Sequence, residues 1–207
     1  MTMSVTWQDV SDIDLVGALP DPDALEELFL RYRLMILGYG IRRCSRPEDV
    51  ADLLAATFLA VLESASTYEE RLGDVRPWLF GIAHRQLGLL IRQEYRDRAL
   101  RSKIAAVPEH HPDDMARIEE QIDASREARD VEHALAALPE QHREALWLVG
   151  YDRLTPHEAA QVIGVSPGAF RVRLSRARRA LRASLSQPIL TVPARVGDES
   201  NPPEVHS

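Results

Sequence analysis

The sequence of 207 residues holds one cysteine, Cys44, and one lysine, Lys103. A single thiol excludes an internal disulfide framework, and a lone Cys within a helical stretch reads as a small apolar residue. Residues 1–19 lack a basic segment followed by an apolar one, so no signal peptide is expected. No apolar run approaches ~18 residues, so no membrane span is expected and the chain reads as cytoplasmic. No stretch alternates apolar and polar residues long enough for a strand. Glycine-rich phosphate loops, nucleophile–base pairs and metal-ligand spacings are also missing, which speaks against an enzyme, a cofactor or a metal. The His110-His111 pair has no further ligand-type spacing around it and reads as solvated linker.

What is present is an uneven charge. The net charge is −7, which alone would disfavour a nucleic-acid binder. By segment, residues 1–63 carry −6, 76–103 carry +5, 104–140 carry −7 and 141–182 carry +5. Two basic islands therefore sit in an acidic chain. Each suits phosphate, while the whole molecule is held off bare DNA by its own field. The basic residues are almost all arginine, which suits planar bidentate contacts.

Helical periodicity dominates. Asp21 and Pro22 open a helix whose apolar stripe is Leu25, Leu28, Phe29, Tyr32, Ile36 and Tyr39. A second begins near Pro47, with Val50, Leu53, Leu54, Phe58, Val61 and Leu62 on its buried side. A loop spans about Ser66 to Asp74. Pro77 opens a third helix with Trp78, Leu79, Ile82, Leu87, Leu90 and Ile91, which ends in the basic run Arg92–Lys103. The expected fold is all-α, with two small helical domains joined by an acidic linker. The expected boundaries are an N-terminal extension at 1–20, a helical domain at 21–103 and a linker at 104–130. A second domain follows at 131–185, then a disordered proline-containing tail at 186–207.

The second domain carries the sharper signal. Helices are expected at about 131–138 and 139–150, followed by a pair at 155–163 and 167–184. Thr155-Pro156 with Glu158 makes a capping box. Ala160 allows a close helix crossing, Gly164 supplies the positive φ of the turn, and Ser166-Pro167 caps the next helix. In that last helix Phe170, Leu174, Ala177 and Leu181 form one narrow stripe. Opposite lie Gly168, Arg171, Val172, Ser175, Arg176 and Arg179. No acidic residue occurs from Val165 to Gln187, although a merely soluble face would mix signs. The unit therefore reads as a DNA-binding helix-turn-helix, its second helix shaped for a major groove. Ser166, Gly168, Arg171, Val172, Ser175, Arg176 and Arg179 are the candidate contacts.

Residues 134–182 resemble region 4 of the extracytoplasmic-function (ECF) RNA polymerase sigma factors. Residues 47–65, PEDVADLLAATFLAVLESA, resemble the region 2 helix that ends in Thr-Phe-Leu. Residues 76–87, RPWLFGIAHRQL, are similar to the family's Trp-Leu…Ile-Ala motif. The three matches fall in the family's order. The resemblance implies that helix 47–62 docks on core polymerase, with Asp49, Asp52, Ala55 and Ala56 as contact positions. It implies that helix 76–103 meets the minus-ten element through Arg85, Arg92 and Arg96, and that 155–182 reads the minus-thirty-five element. It implies core polymerase and promoter DNA as partners, with an anti-sigma factor as a further one. Melted bases need stacking platforms beside a positive groove; Tyr68, Trp78, Phe80 and Tyr95 are the candidates, Trp78 and Phe80 reading rather as core.

This chain departs from the common pattern in three places. Ala55-Ala56 stand where many members have Gln-Glu, and Leu62 where many have Trp. Arg85 and Leu89 stand where many have Asn and Asp, the arginine resembling an actinobacterial branch. The rival to a sigma factor is a one-component helix-turn-helix regulator. It accounts for 134–182 equally well but leaves Thr57-Phe58 and Trp78-Leu79 unexplained.

Overall fold

The computed structural model describes residues 7–68, 74–104 and 126–186, with side chains for 7–68, 74–96 and 130–186. The described residues form α-helices and short 3-10 turns, with no strand among them. The first group is α1 (Asp12–Ala18), α2 (Pro22–Ile41), α3 (Pro47–Ser64) and α4 (Val75–Ile104). The second is α5 (Arg126–Ala136), α6 (Glu140–Gly150), α7 (Pro156–Val162) and α8 (Pro167–Ser186). The His110-His111 pair and residues 187–207 lie outside the described residues.

The N-terminal segment, expected to be an extension, is folded onto the first group. Ser11 caps α1, and Leu15 and Val16 on its inner face are fully buried. Burying side chains of this size stabilises by about 1.5–3 kcal/mol each. Arg31 of α2 ties the segment down. It donates to the carbonyl oxygens of Trp7, Gln8 and Val10 at 2.9–3.0 Å and pairs with Asp12 at 2.7 Å. The Tyr32 hydroxyl donates to the same Asp12 carboxylate.

Helix α2 starts where Asp21 accepts from the backbone N–H groups of Asp23 and Ala24, with Pro22 in the first turn. These are orphan donors that a helix start must satisfy. Gly40 lets α3 approach closely, since a Cβ there would meet Val50 Cγ1 at 3.1 Å and Leu53 Cδ2 at 3.3 Å. The inner face of α3 is Leu53, Thr57, Phe58 and Val61, while Val50, Leu54 and Leu62 are only half-buried. Thr57 can be sealed because its hydroxyl donates to the Leu53 carbonyl at 2.7 Å. By length and composition Pro47–Thr67 is apolar enough to cross a membrane, which the reading by contiguous runs did not register. In this fold it is a core helix, with Phe58 edge-on to Phe29 at 5.0 Å.

Helix α4 begins at Val75, two residues before Pro77, a position where the proline's missing N–H costs no helix bond. Val75, Leu79, Phe80, Ile82, Ala83 and Leu87 are buried. Ile91, expected on that stripe, is exposed, and so are its neighbours from Arg92 to Arg96.

One apolar cluster joins α1 to the ends of α2, α3 and α4 around Leu15, Leu28, Val61 and Leu79. The other starts at Ile36, Tyr39, Phe80 and Leu87 and continues into Ala145, Leu148, Ala160 and Phe170. The two helical groups thus share a core, with α7 laid against α4.

Arg153, between α6 and α7, has φ 52°. A left-handed conformation costs a non-glycine residue roughly 1–2 kcal/mol. Glycine would relieve that cost, offset by about 0.5–1 kcal/mol of extra unfolded-chain entropy. Arg153→Gly is expected to raise stability by about 0.5 kcal/mol, read as a thermal midpoint 1–2 °C higher, on the order given by; a lower midpoint would show that the arginine side chain contributes more than the strain costs.

Candidate nucleic-acid interface

The helix-turn-helix is α7, a turn and α8. Thr155 accepts from the Glu158 N–H at 3.3 Å, and the Glu158 carboxylate accepts from the Thr155 N–H at 2.7 Å, completing the capping box. Gly164 takes φ 68° in the turn, and Ala159 and Ala160 are fully buried against α8 and the core. Ser166 Oγ accepts from the Ala169 N–H at 3.2 Å, so this hydroxyl is already engaged as a cap.

Phe170, Leu174 and Ala177 of α8 are buried, and Leu181 is half-buried. That fixes the opposite face outward. Gly168, Arg171, Val172, Ser175, Arg176 and Arg179 are all exposed. Val172 is 52 % exposed among arginines, where a lone apolar side chain has nothing of its own to cover it. Beside it the N-terminus of α6 completes a shallow groove of about 410 Å³, lined by Gln141, His142, Gly168, Ala169, Val172, Arg173 and Arg176. Gln141 and His142 were not anticipated from the sequence. They stand 25 or more residues from the recognition helix, and only the packing of α6 on α8 brings them there.

On α4, Arg85, Arg92 and Arg96 are exposed. Steps of seven and four place them within about 40° of one another around the helix. Tyr95 beside them is 67 % exposed. Phe80 is fully buried against Tyr39 at 5.6 Å, so it serves the core and offers no stacking surface. Trp78 and Tyr68 pack on each other at 5.0 Å. On α3, Asp52 and Ala55 are exposed, Ala56 is half-buried, and Asp49 pairs with Arg46 at 2.6 Å.

A third constellation was not legible in the sequence. Three arginines of the first helical group converge on Asp152, just after α6. Arg42 donates to one carboxylate oxygen, Arg43 to the other at 2.9 Å, and Arg76 to the Asp152 backbone carbonyl at 2.6 Å. Arg43 also forks onto Glu144 at 2.9–3.2 Å and lies 3.6 Å over the Tyr39 ring. The Asp152 and Arg43 side chains are 1 % and 3 % exposed. Nearby carboxylates hold Arg43 charged against its burial. Tyr39 Oη lies 3.1 Å from His84 Nδ1, and burial lowers the His84 pKa from its ordinary value.

With this geometry in hand the chain was compared with known proteins. Residues 28–98 match the family model for sigma-70 region 2, and residues 128–181 match that for sigma-70 region 4. The RNA polymerase sigma factor CarQ of Myxococcus xanthus is 34% identical over 80% of this chain and 91% of its own. The chain belongs to the extracytoplasmic-function family of RNA polymerase sigma factors. The ECF sigma factor ShbA of Streptomyces griseus is 32% identical over 81% of this sigma factor and 90% of its own length. Among solved structures, CnrH in complex with the cytosolic domain of CnrY matches with a TM-score of 0.58 at 24% identity, covering 84% of this sigma factor and 96% of that chain. RpoE of Bartonella quintana in complex with the anti-sigma factor NepR matches at 0.56 and 24%, covering 79% and 96%. At that identity the likeness speaks to the fold, which is the all-α arrangement expected.

Two outcomes test the geometry. Arg176→Ala is expected to weaken binding of this sigma factor to an upstream-element duplex and to lower the slope of log affinity against log salt by about one, the value for one lost phosphate contact; unchanged titrations would remove Arg176 from the interface. For His84 the folded state favours the neutral ring. Below about pH 6.5 the unfolded chain binds a proton that the folded chain resists, so stability falls as pH drops through that window. Tyr39 bonds the ring, and the charges of Glu144, which favours the protonated form, and Arg43, which opposes it, bear on it. Urea midpoints at pH 7.5 and 5.5 should differ less in His84→Gln than in the parent.

Proposed function

We propose that this sigma factor divides its work between two exposed basic faces. Arg85, Arg92 and Arg96 of α4 would meet the minus-ten element. Arg171, Val172, Ser175, Arg176 and Arg179 of α8, with Gly168 and the cap Ser166 at its start, would read the minus-thirty-five element as duplex. The observation that carries the second half is Val172, exposed among arginines on a helix whose Phe170, Leu174 and Ala177 are buried. Contact with a thymine methyl in the major groove would cover it. Region 2 would be residues 21–103 together with the segment that Arg31 clamps, and region 4 residues 131–185, with the acidic stretch 104–130 kept off DNA.

In this reading the protein recruits core polymerase and is not itself an enzyme; it acts in the cytoplasm. Asp49, Asp52, Ala55 and Ala56 on the outer side of α3 would face the polymerase. An anti-sigma factor, the kind of partner NepR is for its own sigma factor, is a further expected partner.

Purified protein with core polymerase is expected to start transcription from a defined subset of promoters, and neither component alone should do so. Asp52 is exposed on α3, so Asp52→Arg should weaken polymerase binding while circular dichroism stays that of the parent. Tight binding to a specific duplex without polymerase, together with no pull-down of core enzyme, would replace this reading with a one-component regulator.

A further inference from the structure

We infer that the groove between the start of α6 and the flank of α8 seats the phosphate backbone of one DNA strand, held by Gln141 and His142. The inference rests on the reading of α8 as the helix that reads duplex, and adds the residues that fix how it lies there. An α-helix with its side chains is about 10–12 Å across, close to the major-groove width of about 12 Å. A helix seated in that groove turns one face to the base edges and its flanks to the phosphate walls. At about 100° per residue, Gly168, Val172, Ser175 and Arg179 fall within about 60° of one another on the outward face. Ala169, Arg173 and Arg176 lie further round, on the flank that meets α6 and forms the groove of about 410 Å³. A strand backbone passing that flank enters the groove.

The lining suits phosphate. Besides the two arginines the groove holds the Gln141 amide and the His142 ring, and no carboxylate. Glu140, the acidic residue in the first turn of α6, does not line it, and Glu144 is taken up by Arg43. Gln141 is exposed, and among the described residues nothing pairs with its side chain. His142 is half-buried; its Nδ1 is sealed from water with no hydrogen-bond partner, whereas its Nε2 is not. A proton on Nδ1 would be stranded there, so the ring proton belongs on Nε2, where it is free to be donated. Pro139 starts α6 without a side-chain cap, which leaves the positive end of that helix on the same side. Phosphate oxygens of DNA take donors of these kinds, glutamine amides and helix-start N–H groups among them. The flank from Gly168 to Arg176 runs about 12 Å at about 1.5 Å per residue. A single free phosphate would leave most of that length empty, and a strand would fill it.

The test uses the full chain bound to core polymerase. The probes are a duplex promoter from which that complex transcribes and the same duplex with its upstream element scrambled. Gln141→Ala removes a donor but no charge from an exposed position. It should weaken binding to both duplexes by the same factor, roughly fivefold, and leave the slope of log affinity against log salt unchanged. Gln141→Arg should tighten binding and steepen that slope by about 0.9. His142→Phe keeps a flat ring and removes both nitrogens. Its thermal midpoint should match or exceed the parent's, because a stranded polar atom is gone, while its DNA binding falls by a factor similar to that of Gln141→Ala. Inorganic phosphate added at constant ionic strength should not compete with the duplex; competition that vanishes in Gln141→Ala would make the groove a free-anion site instead. Loss confined to the intact upstream element would make Gln141 a base contact, and loss of core enzyme in a pull-down would make the groove a protein-binding one. Either result overturns the inference, as does parental binding by both Gln141→Ala and His142→Phe. Where Arg176→Ala weakens binding and the α6 variants do not, this inference alone falls. Where Arg176→Ala also binds like the parent, the reading of α8 fails and takes the inference with it.

Discussion

The Asp152 carboxylate is almost sealed from water and takes one arginine on each oxygen, while its backbone carbonyl takes a third. Much of the arrangement of the two helical groups depends on that residue. It lies on the short connection between α6 and α7, so whatever holds it also sets where the helix-turn-helix starts. Removing one partner of a buried pair strands the other, at a cost of about 3–5 kcal/mol. Arg43 is buffered against this by Glu144 and by the Tyr39 and Trp147 rings. Asp152 has no second cation system of its own beyond the three arginines. The joint is therefore asymmetric, redundant on one side and dependent on one carboxylate on the other.

The strain at Arg153 belongs to the same corner. The chain leaves α6 at Gly150, carries Asp152 into the joint, and turns through a left-handed residue before Leu154 re-enters the core. The Leu154 N–H then donates to the Leu148 carbonyl at 2.9 Å. A conformation that an arginine adopts at a cost persists because Asp152 on one side and Leu154 on the other are both fixed.

Much of the fold was legible because its signals are local. The Asp21-Pro22 start, the Thr155–Glu158 capping box, the Gly164 turn and the Phe170–Leu174–Ala177 stripe each need only a few neighbouring residues, and each is where periodicity put it. The exposed arginine face of α8 followed from that stripe by subtraction. Three features did not follow. Residues 7–19 look like an N-terminal extension until Arg31, in another helix, gathers the carbonyl groups of Trp7, Gln8 and Val10. Thr57 reads as polar until its hydroxyl is seen bonded within its own helix. Arg42, Arg43 and Arg76 look like solvated surface, because nothing in a sequence tells an arginine that meets water from one that meets an aspartate more than seventy-five residues away. The same long-range packing brought Gln141 and His142 beside α8.

Under the proposed reading, a promoter of two short elements poses an affinity problem. Each basic face alone offers a handful of arginines, and the acidic blocks around them repel the duplex at long range. Either face alone would then be a weak binder with little specificity. Held by polymerase at a fixed separation, they would become one bivalent reader under the proposed reading, the second contact forming at a high effective concentration set by the polymerase rather than by a flexible tether. Specificity would then reside in the distance between two faces, which neither face carries by itself.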